Sequence, residues 1–526
     1  MSSKTARQTV EFGDFQTPPR LAKSICSLLL RTGLVPSSIV EPTCGQGAFL
    51  AAALEAFPDA TVRGYEYNPD YAETARRTAS RFSQATVQKG DFFRIDWDAE
   101  LSKLPEPLLV LGNPPWVTNA AVGSLGGSNL PEKSNLDSLR GIDALTGRAN
   151  FDISEWMLRE NLRWLRGRRG AIAVLCKTSV ARKVLVHAWS ADFPIKSATI
   201  YRLDARREFG VSVDACLLFI CLAPDAQTHE CAVYDTLNSP RPSSSFGMRD
   251  NRLVSDSETY GRLHSLYSDG LIGWRSGVKH DCSRVFEFSV KNGELVNGLG
   301  EVVSLEADVV FPLLKSSDVA SHRPPRKYLL IPHRSIDESP HELRSRAPRA
   351  WQYLTSHEQT LEARGSSVYK KRPKFSIFGI GPYSFAPWKV AISGLYKNLR
   401  FTKIGPIDGQ PILLDDTCYF FPCDSEEECL CLYDLVSSPL ATEFWSSLVF
   451  WDSKRPITAK LLNLLDLASL AKKMGAWTPT MRRIAERQMT AYTAGSYQPM
   501  LFRESSSRYG LMEEGRDPLA NDKSGE

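Results

Sequence analysis

The first 235 residues alternate short apolar runs with amphipathic stretches, and no other feature of the chain narrows its fold as far. Ser38–Glu41, Thr61–Glu66, Leu108–Leu111 and Ala171–Cys176 read as strands, whereas Ala48–Phe57, Asp70–Arg81 and Ile153–Leu165 read as helices. Strands that are apolar on both faces must be covered on both faces. Repeated strand–helix units of this kind predict an α/β fold with a largely parallel sheet. Ala198–Leu203 and Val213–Cys221 predict an antiparallel hairpin that closes this part.

A chain of 526 residues exceeds one ordinary domain. Leu237–Asp250 (LNSPRPSSSFGMRD) is the sharpest change of composition, and the strict alternation is lost beyond it. The expected organisation is a catalytic domain over 1–236, a mixed α+β domain over 251–478 and a polar tail over 479–526. Thr118–Ala149, rich in Gly, Ser and Asn, is too long for a routine connection and is read as a functional or mobile loop. The formal charge of +4 leaves nucleic-acid binding to local basic clusters. Eleven cysteines show no pairing framework. Cys423, Cys429 and Cys431 are read as buried or free thiols, and no metal is expected. With no apolar leader and no long apolar run, the expectation is a soluble cytoplasmic protein with no membrane contact.

The segment Val40-Glu41-Pro42-Thr43-Cys44-Gly45-Gln46-Gly47 follows a strand and opens a helix. Two glycines one residue apart allow a tight turn and close approach of a ligand. It is not a phosphate loop, since no Gly-Lys-Ser/Thr follows. Glu41 would repel a pyrophosphate and suit a ligand with a positive amino group. Glu66, in Gly64-Tyr65-Glu66-Tyr67, stands about 20 residues beyond the glycines, where an acid holds a ribose diol in doubly wound nucleotide sites. Asp91 and Phe92, near a third strand end, offer an acceptor and an apolar face to an adenine.

The strand ending at Gly112 runs straight into Asn113-Pro114-Pro115-Trp116. Two prolines fix the backbone and remove two donors, leaving carbonyl groups without local partners. An exocyclic amine placed there could donate to the Asn113 side chain and the Pro114 carbonyl. Trp116 offers a ring for stacking, worth about 1–3 kcal/mol per base.

In this order, Phe12-Gly13-Asp14-Phe15-Gln16-Thr17-Pro18, the Glu-Pro-Thr-Cys-Gly-Gln-Gly loop, Tyr65-Glu66-Tyr67-Asn68, Gly90-Asp91-Phe92-Phe93 and Gly112-Asn113-Pro114-Pro115-Trp116 resemble gamma-class, TaqI-like N6-adenine DNA methyltransferases of restriction–modification type. The resemblance implies a class I methyltransferase fold, Rossmann-like, with a target-recognition domain behind it. It implies S-adenosylmethionine as cofactor, its aminoalkyl part near Phe15, Thr17, Pro18, Thr43 and the glycine loop, its ribose on Glu66 beside Tyr67 and its adenine near Asp91 and Phe92. It implies double-stranded DNA as substrate, a base swung out against Trp116 with Phe209 as the second aromatic, and a separate cognate endonuclease as partner in a bacterial, nucleoid-associated setting. Trp116 departs from the commoner Tyr or Phe, which keeps cytosine-N4 methylation open. The same tetrapeptide also serves glutamine side chains of proteins and amines of ribosomal RNA, and a non-catalytic DNA-binding protein with a degenerate core is a third reading.

Beyond residue 236 the resemblance persists in fragments, including Trp274–Lys279, Phe311–Asp318, Pro382–Lys389 and Leu414–Asp416. Lys279, Lys315, Lys370, Lys371, Arg372 and Lys374 are the expected DNA-binding cations, the last four interleaved with Tyr369, Phe375 and Phe378. Two further clusters, Arg163, Arg166, Arg168 and Arg169, and Arg323, Arg326 and Lys327, are also candidates, the first doubling as a helix-end cap.

Overall fold

The computed structural model describes residues 15–117, 152–453 and 455–493, and only the backbone of residues 367, 371 and 489–493. Phe12, Gly13 and Asp14 of the first motif, the whole of the expected 118–149 connection and residues 494–526 lie outside the described residues. The chain divides into two compact units, one running to Ser257 and the other beginning at Glu258.

In chain order the first unit comprises α1 (Pro19–Arg31), β1 (Ser38–Glu41), α2 (Ala48–Ala56), β2 (Thr61–Glu66), α3 (Pro69–Ala79), β3 (Ala85–Lys89), α4 (Trp97–Leu101), β4 (Leu108–Gly112), α5 (Ile153–Trp164), β5 (Gly170–Lys177), α6 (Thr178–Ser190), β6 (Ile195–Asp204), α7 (Ala205–Phe209), β7 (Asp214–Leu222), β8 (Glu230–Tyr234), β9 (Ser244–Arg249) and β10 (Arg252–Val254). The strands form one sheet in the order β10-β9-β8-β6-β7-β5-β4-β1-β2-β3. Strands β1 to β5 pair in parallel, and β7 lies antiparallel between β5 and β6. This is the expected Rossmann-like class I methyltransferase sheet, and the predicted hairpin is β6 with β7, in register from Asp204↔Asp214.

Every residue of β4 and all of β5 except Lys177 are buried, as apolar strands in a covered sheet must be. Leu21, Ile25 and Leu29 of α1 and Phe49, Leu50 and Ala53 of α2 pack with Ile39, Val62, Leu109, Leu111 and Leu175. Burying each such large side chain contributes about 1.5–3 kcal/mol. The fold positions the site through β1 and β4, which are neighbours in register from Ser38↔Leu108. The chain leaves β1 toward β2 and leaves β4 toward β5, so the two exits diverge and open a crevice at the carboxyl ends.

Two expectations about organisation differ from the structure. Leu237–Asp250 does not mark the domain boundary, because β9 lies inside it, paired with β8 from Val233↔Ser244, and the first unit extends to Ser257. Its Ser- and Pro-rich composition suits a strand one place in from the sheet edge with little to bury. Likewise the expected tail begins with a helix, Pro479–Thr493, that buries Met481 and Ile484. Its single apolar stripe is diluted among charged residues and escapes a compositional reading.

The second unit is mixed α+β. A six-stranded sheet runs in the order Val302–Val303, Glu294–Asn297, Glu287–Lys291, Lys327–Leu330, Val310–Leu314, Leu413–Leu414. A four-stranded antiparallel sheet orders Arg275–Ser276, Cys418–Cys423, Trp388–Ser393 and Phe401–Ile404. Phe286, Phe288, Leu329 and Leu354 lie in its main core.

Candidate active site

The turn after β1 requires glycine at both expected positions. Gly45 has φ 52° and Gly47, which precedes α2, has φ 87°. A side-chain carbon on Gly45 would lie 2.6 Å from Gln16 Oε1, and one on Gly47 would lie 3.2 Å from Ala75 Cα. The Gly47 N–H donates to the Cys44 carbonyl at 2.8 Å, and the Cys44 N–H to the Tyr65 carbonyl at 2.8 Å. Gln16, to which no role was assigned from sequence, accepts the Gln46 N–H at 3.2 Å. Thr43 is half-buried on the same turn.

Glu66 is fastened to this turn. Its Oε2 accepts the Gly45 N–H at 2.8 Å and its Oε1 the Asn68 N–H at 2.7 Å. Tyr67 beside it is exposed. Asp91 accepts the Phe93 N–H at 3.0 Å and stands 3.6 Å from the exposed Arg94. Phe92 reaches this strand end but spends its ring on Trp97, Trp164 and Trp156, at centroid distances of 5.3, 5.5 and 6.0 Å. It is only 6% exposed, which leaves little of the flat wall expected of it.

Glu41 ends β1 beneath the turn and is 3% exposed. Its Oε2 has no hydrogen-bond partner among the described residues. Burial, with Glu66 adding repulsion, pushes the carboxyl well above its ordinary range. A buried acid with an open oxygen under a glycine turn fits a positively charged group, and the whole cradle fits an amino acid joined to a nucleoside.

Across the crevice, the Asn113 Nδ2 donates to the Phe15 carbonyl at 2.8 Å, and this fixes the orientation of the amide. Its Oδ1 is left buried with no partner among the described residues. An orphaned buried carbonyl costs about 1–3 kcal/mol until a donor arrives. Pro114 is buried and Pro115 half-buried. The Trp116 Nε1 donates to the Leu175 carbonyl at 3.3 Å. Thr17 and Pro18, both half-buried, stand where the chain enters α1.

Phe209, expected as a second aromatic, packs against Trp116. It ends α7, which Asp204 caps and after which Gly210 turns at φ 73°. The Trp116 and Phe209 centroids are 5.1 Å apart with planes at 69°, and Phe15 stands 5.8 Å from Trp116 and 6.3 Å from Phe209. A planar base held between two rings needs about 7 Å, twice a contact distance of about 3.5 Å. The three rings therefore close on one another here, with no space for a planar base between Trp116 and Phe209.

Lys177 escaped the sequence reading. Its Nζ donates to the Trp116 carbonyl at 3.0 Å and to Asp152 Oδ2 at 2.6 Å. The signal was a lone cation closing an otherwise apolar strand.

Three of the six expected DNA-binding cations have acidic partners. Lys315 pairs with Glu287 at 2.7 Å, Lys279 with Asp281 at 3.5 Å, and Lys374 with Glu358 and, at 3.6 Å, Glu362. Lys370 and Arg372 are exposed, and the side chain of Lys371 lies outside the described residues. The other clusters are largely structural. Arg163 pairs with Asp98 and Glu160, Arg168 with Glu106, and Arg326 with Asp318. No cluster of metal-ligating side chains occurs among the described residues, and no helix there is long and apolar enough to cross a membrane.

No family model matches the chain. The type II methyltransferase M.NspV of Nostoc sp. is 42% identical over 478 residues, covering 90% of this chain and 99% of its own. The type II methyltransferase M.XamI of Xanthomonas campestris pv. amaranthicola is 33% identical over 117 residues, 21% of each chain. A release factor glutamine methyltransferase of Vibrio cholerae is 28% identical over 107 residues, 20% of this chain and 36% of its own. Among solved structures, a type IIL restriction-modification enzyme in complex with DNA superposes with a TM-score of 0.43 and 12% identity, covering 90% of this chain and 75% of that one.

Proposed function

The chain belongs to the type II methyltransferases, enzymes of restriction–modification systems that methylate DNA with S-adenosylmethionine, and from that premise we propose that its target is the N6 amino group of an adenine swung out of the duplex. The observation that carries this reading is the buried, unpartnered Oδ1 of Asn113, held on an amide whose nitrogen is already bonded to Phe15.

An adenine amino group is a poor nucleophile because its lone pair is delocalised into the ring. The Asn113 Oδ1 and the Pro114 carbonyl accept hydrogen bonds from its two N–H groups, which favours a pyramidal nitrogen with its lone pair free. The residues act by positioning and electrostatics, and the reading requires no strong general base. S-adenosylmethionine, when bound, supplies an electrophilic methyl carbon. Glu41 takes its ammonium group, Glu66 its ribose hydroxyls and Asp91 its adenine amine, while Phe15, Thr17, Pro18, Thr43, Gly45, Gly47 and Tyr67 border it. Trp116 and Phe209 stack on the extruded base once Phe209 has moved, recovering part of the few kcal/mol that unpairing costs. The second unit reads the DNA, with Lys370, Lys371 and Arg372 toward phosphates, and a separate endonuclease in the same cytoplasm cuts unmarked sites. The relative that shares nearly its whole length with this chain favours DNA over the protein amide named for the Vibrio cholerae relative, which matches only 20% of the chain.

Single-molecule sequencing of DNA from cells expressing the protein, beside an Asn113→Ala variant, tests the reading. The expected result is an N6-adenine mark in one short motif, absent from the variant. A cytosine-N4 mark would replace the target base, and marks of equal density in both samples would overturn the role of Asn113.

A further inference from the structure

We propose that Lys177 is a positioning residue for methyl transfer, tying the last carbonyl of the Asn113–Trp116 turn to Asp152 so that the acceptors for the amine hold their place. The inference rests on the reading of that turn given above. β4 stops pairing with β5 at Gly112↔Val174, and β5 continues for three more residues. The tetrapeptide therefore leaves the sheet with no strand ladder to define it, and its two prolines remove the donors that could build one. The protruding end of β5 takes over. Its Leu175 carbonyl accepts the Trp116 indole N–H at 3.3 Å, and its Lys177 ammonium reaches the Trp116 carbonyl at 3.0 Å.

The ammonium is itself held. Asp152 Oδ2 lies 2.6 Å away, while Asp152 Oδ1 accepts the Ser154 N–H at 3.1 Å and the Ser154 hydroxyl at 2.6 Å, capping α5. The Ile153 N–H donates to the Val117 carbonyl at 2.9 Å, so the chain after the turn and the chain entering α5 are joined twice. Asp152 is 7% exposed and Ser154 fully buried. A charge-assisted bond from a partly buried ammonium is stronger and more directional than a neutral one. Lys177 touches none of the groups placed against substrate or cofactor except through Trp116. Its effect therefore falls on the rate of transfer and not on cofactor affinity.

The test is single-turnover methylation of unmethylated bacterial chromosomal DNA with tritiated S-adenosylmethionine. It uses the full chain carrying Lys177→Met, Lys177→Arg, Asp152→Asn or Asn113→Ala, with cofactor Kd from calorimetry and Tm beside each rate. A misplacement of about 1 Å can cost roughly a hundredfold. The expected result is a ten- to hundredfold slower Lys177→Met with cofactor Kd within twofold of wild type, a smaller loss in Asp152→Asn, and partial recovery in Lys177→Arg. A wild-type rate in Lys177→Met overturns the proposal, as does a parallel fall in rate, cofactor affinity and Tm. If Lys177→Met does not fold, Asp152→Asn is judged by the same criteria. An inactive Asn113→Ala beside a fully active Lys177→Met ends this inference alone, whereas an active Asn113→Ala ends the reading of the turn on which it rests.

Discussion

Glu41 in the first unit and Lys389 in the second are both buried ionisable groups, and they are handled in opposite ways. In the first, Glu41 sits under a turn of two positive-φ glycines with one carboxyl oxygen unpartnered among the described residues. In the second, Lys389 is 0% exposed in the strand Trp388–Ser393, its Nζ 2.5 Å from the Ala386 carbonyl and 5.8 Å over the Phe420 ring. The acid is left open where the backbone has cleared space, and the base is satisfied inside packing. A buried polar group marks a binding site when it is both unpaired and faced by backbone shaped to admit a ligand. Asn113 meets that condition and Lys389 does not.

The largest effect should separate those two residues. Asn113→Ala should lower the methylation rate by about 10²–10³, the usual loss for one preorganised hydrogen-bonding group, with cofactor affinity nearly unchanged. Lys389→Met should leave the rate alone. Single-turnover rates check both, and an inactive Lys389→Met that still binds cofactor would erase the distinction.

Next comes Glu41→Gln, which removes the charge expected to meet the cofactor's ammonium. Losing one partner of a buried charge pair costs about 2 kcal/mol or more, roughly thirtyfold in Kd. The same variant carries a pH signature. Because the folded pKa of Glu41 is raised, the folded state holds a proton that the unfolded chain releases. Stability from this group is full below the ordinary carboxylate pKa and is lost as pH rises through the raised value. Without cofactor, wild-type Tm should decline over that window and Glu41→Gln should decline less.

Lys389 gives the opposite slope. Burial lowers its pKa to about 7. Between about pH 7 and the ordinary lysine value near 10.4 the unfolded chain binds the extra proton, so stability from this group rises with pH. Lys389→Met should raise Tm by several degrees at pH 7 and by less at pH 9, read from melts of the full chain. A Tm unchanged at both pH values would show that the Ala386 carbonyl and the Phe420 ring already offset the desolvation.

Much of the first unit was legible because its chemistry is local in sequence. The turn at Gly45 and Gly47, the acid at Glu66 and the Asn113–Trp116 exit each follow a strand whose apolar run announces it. Phe92 misled because Asp91-Phe92 names an aromatic without saying which way its ring turns, and Trp97, Trp156 and Trp164 claim it. Lys177 was missed because its partners, Trp116 and Asp152, are distant in sequence, and only the sheet brings them together. The second unit was less legible for the same reason. A basic run gives no sign of the acids that will face it, and Lys374 is met by Glu358 from a separate helix.

That last point sets the smallest prediction, which contrasts paired with exposed cations of the second unit. Lys370 and Arg372 are exposed, and a phosphate contact releases counterions at a slope of about 0.9 per contact. Lys370→Ala and Arg372→Ala should each reduce the salt dependence of DNA binding by about one and raise KM a few-fold, leaving kcat and Tm unchanged. Lys315 should behave otherwise. Although burial alone would raise the Glu287 pKa, His280 and Lys315 together hold that carboxyl below its ordinary range. Lys315→Ala leaves a buried acid with one imidazole partner, so it should lower Tm while the salt slope stays put. Fluorescence anisotropy across a salt series, with melts alongside, distinguishes the two. Wild-type slopes in Lys370→Ala and Arg372→Ala would mean that the exposed pair does not meet DNA.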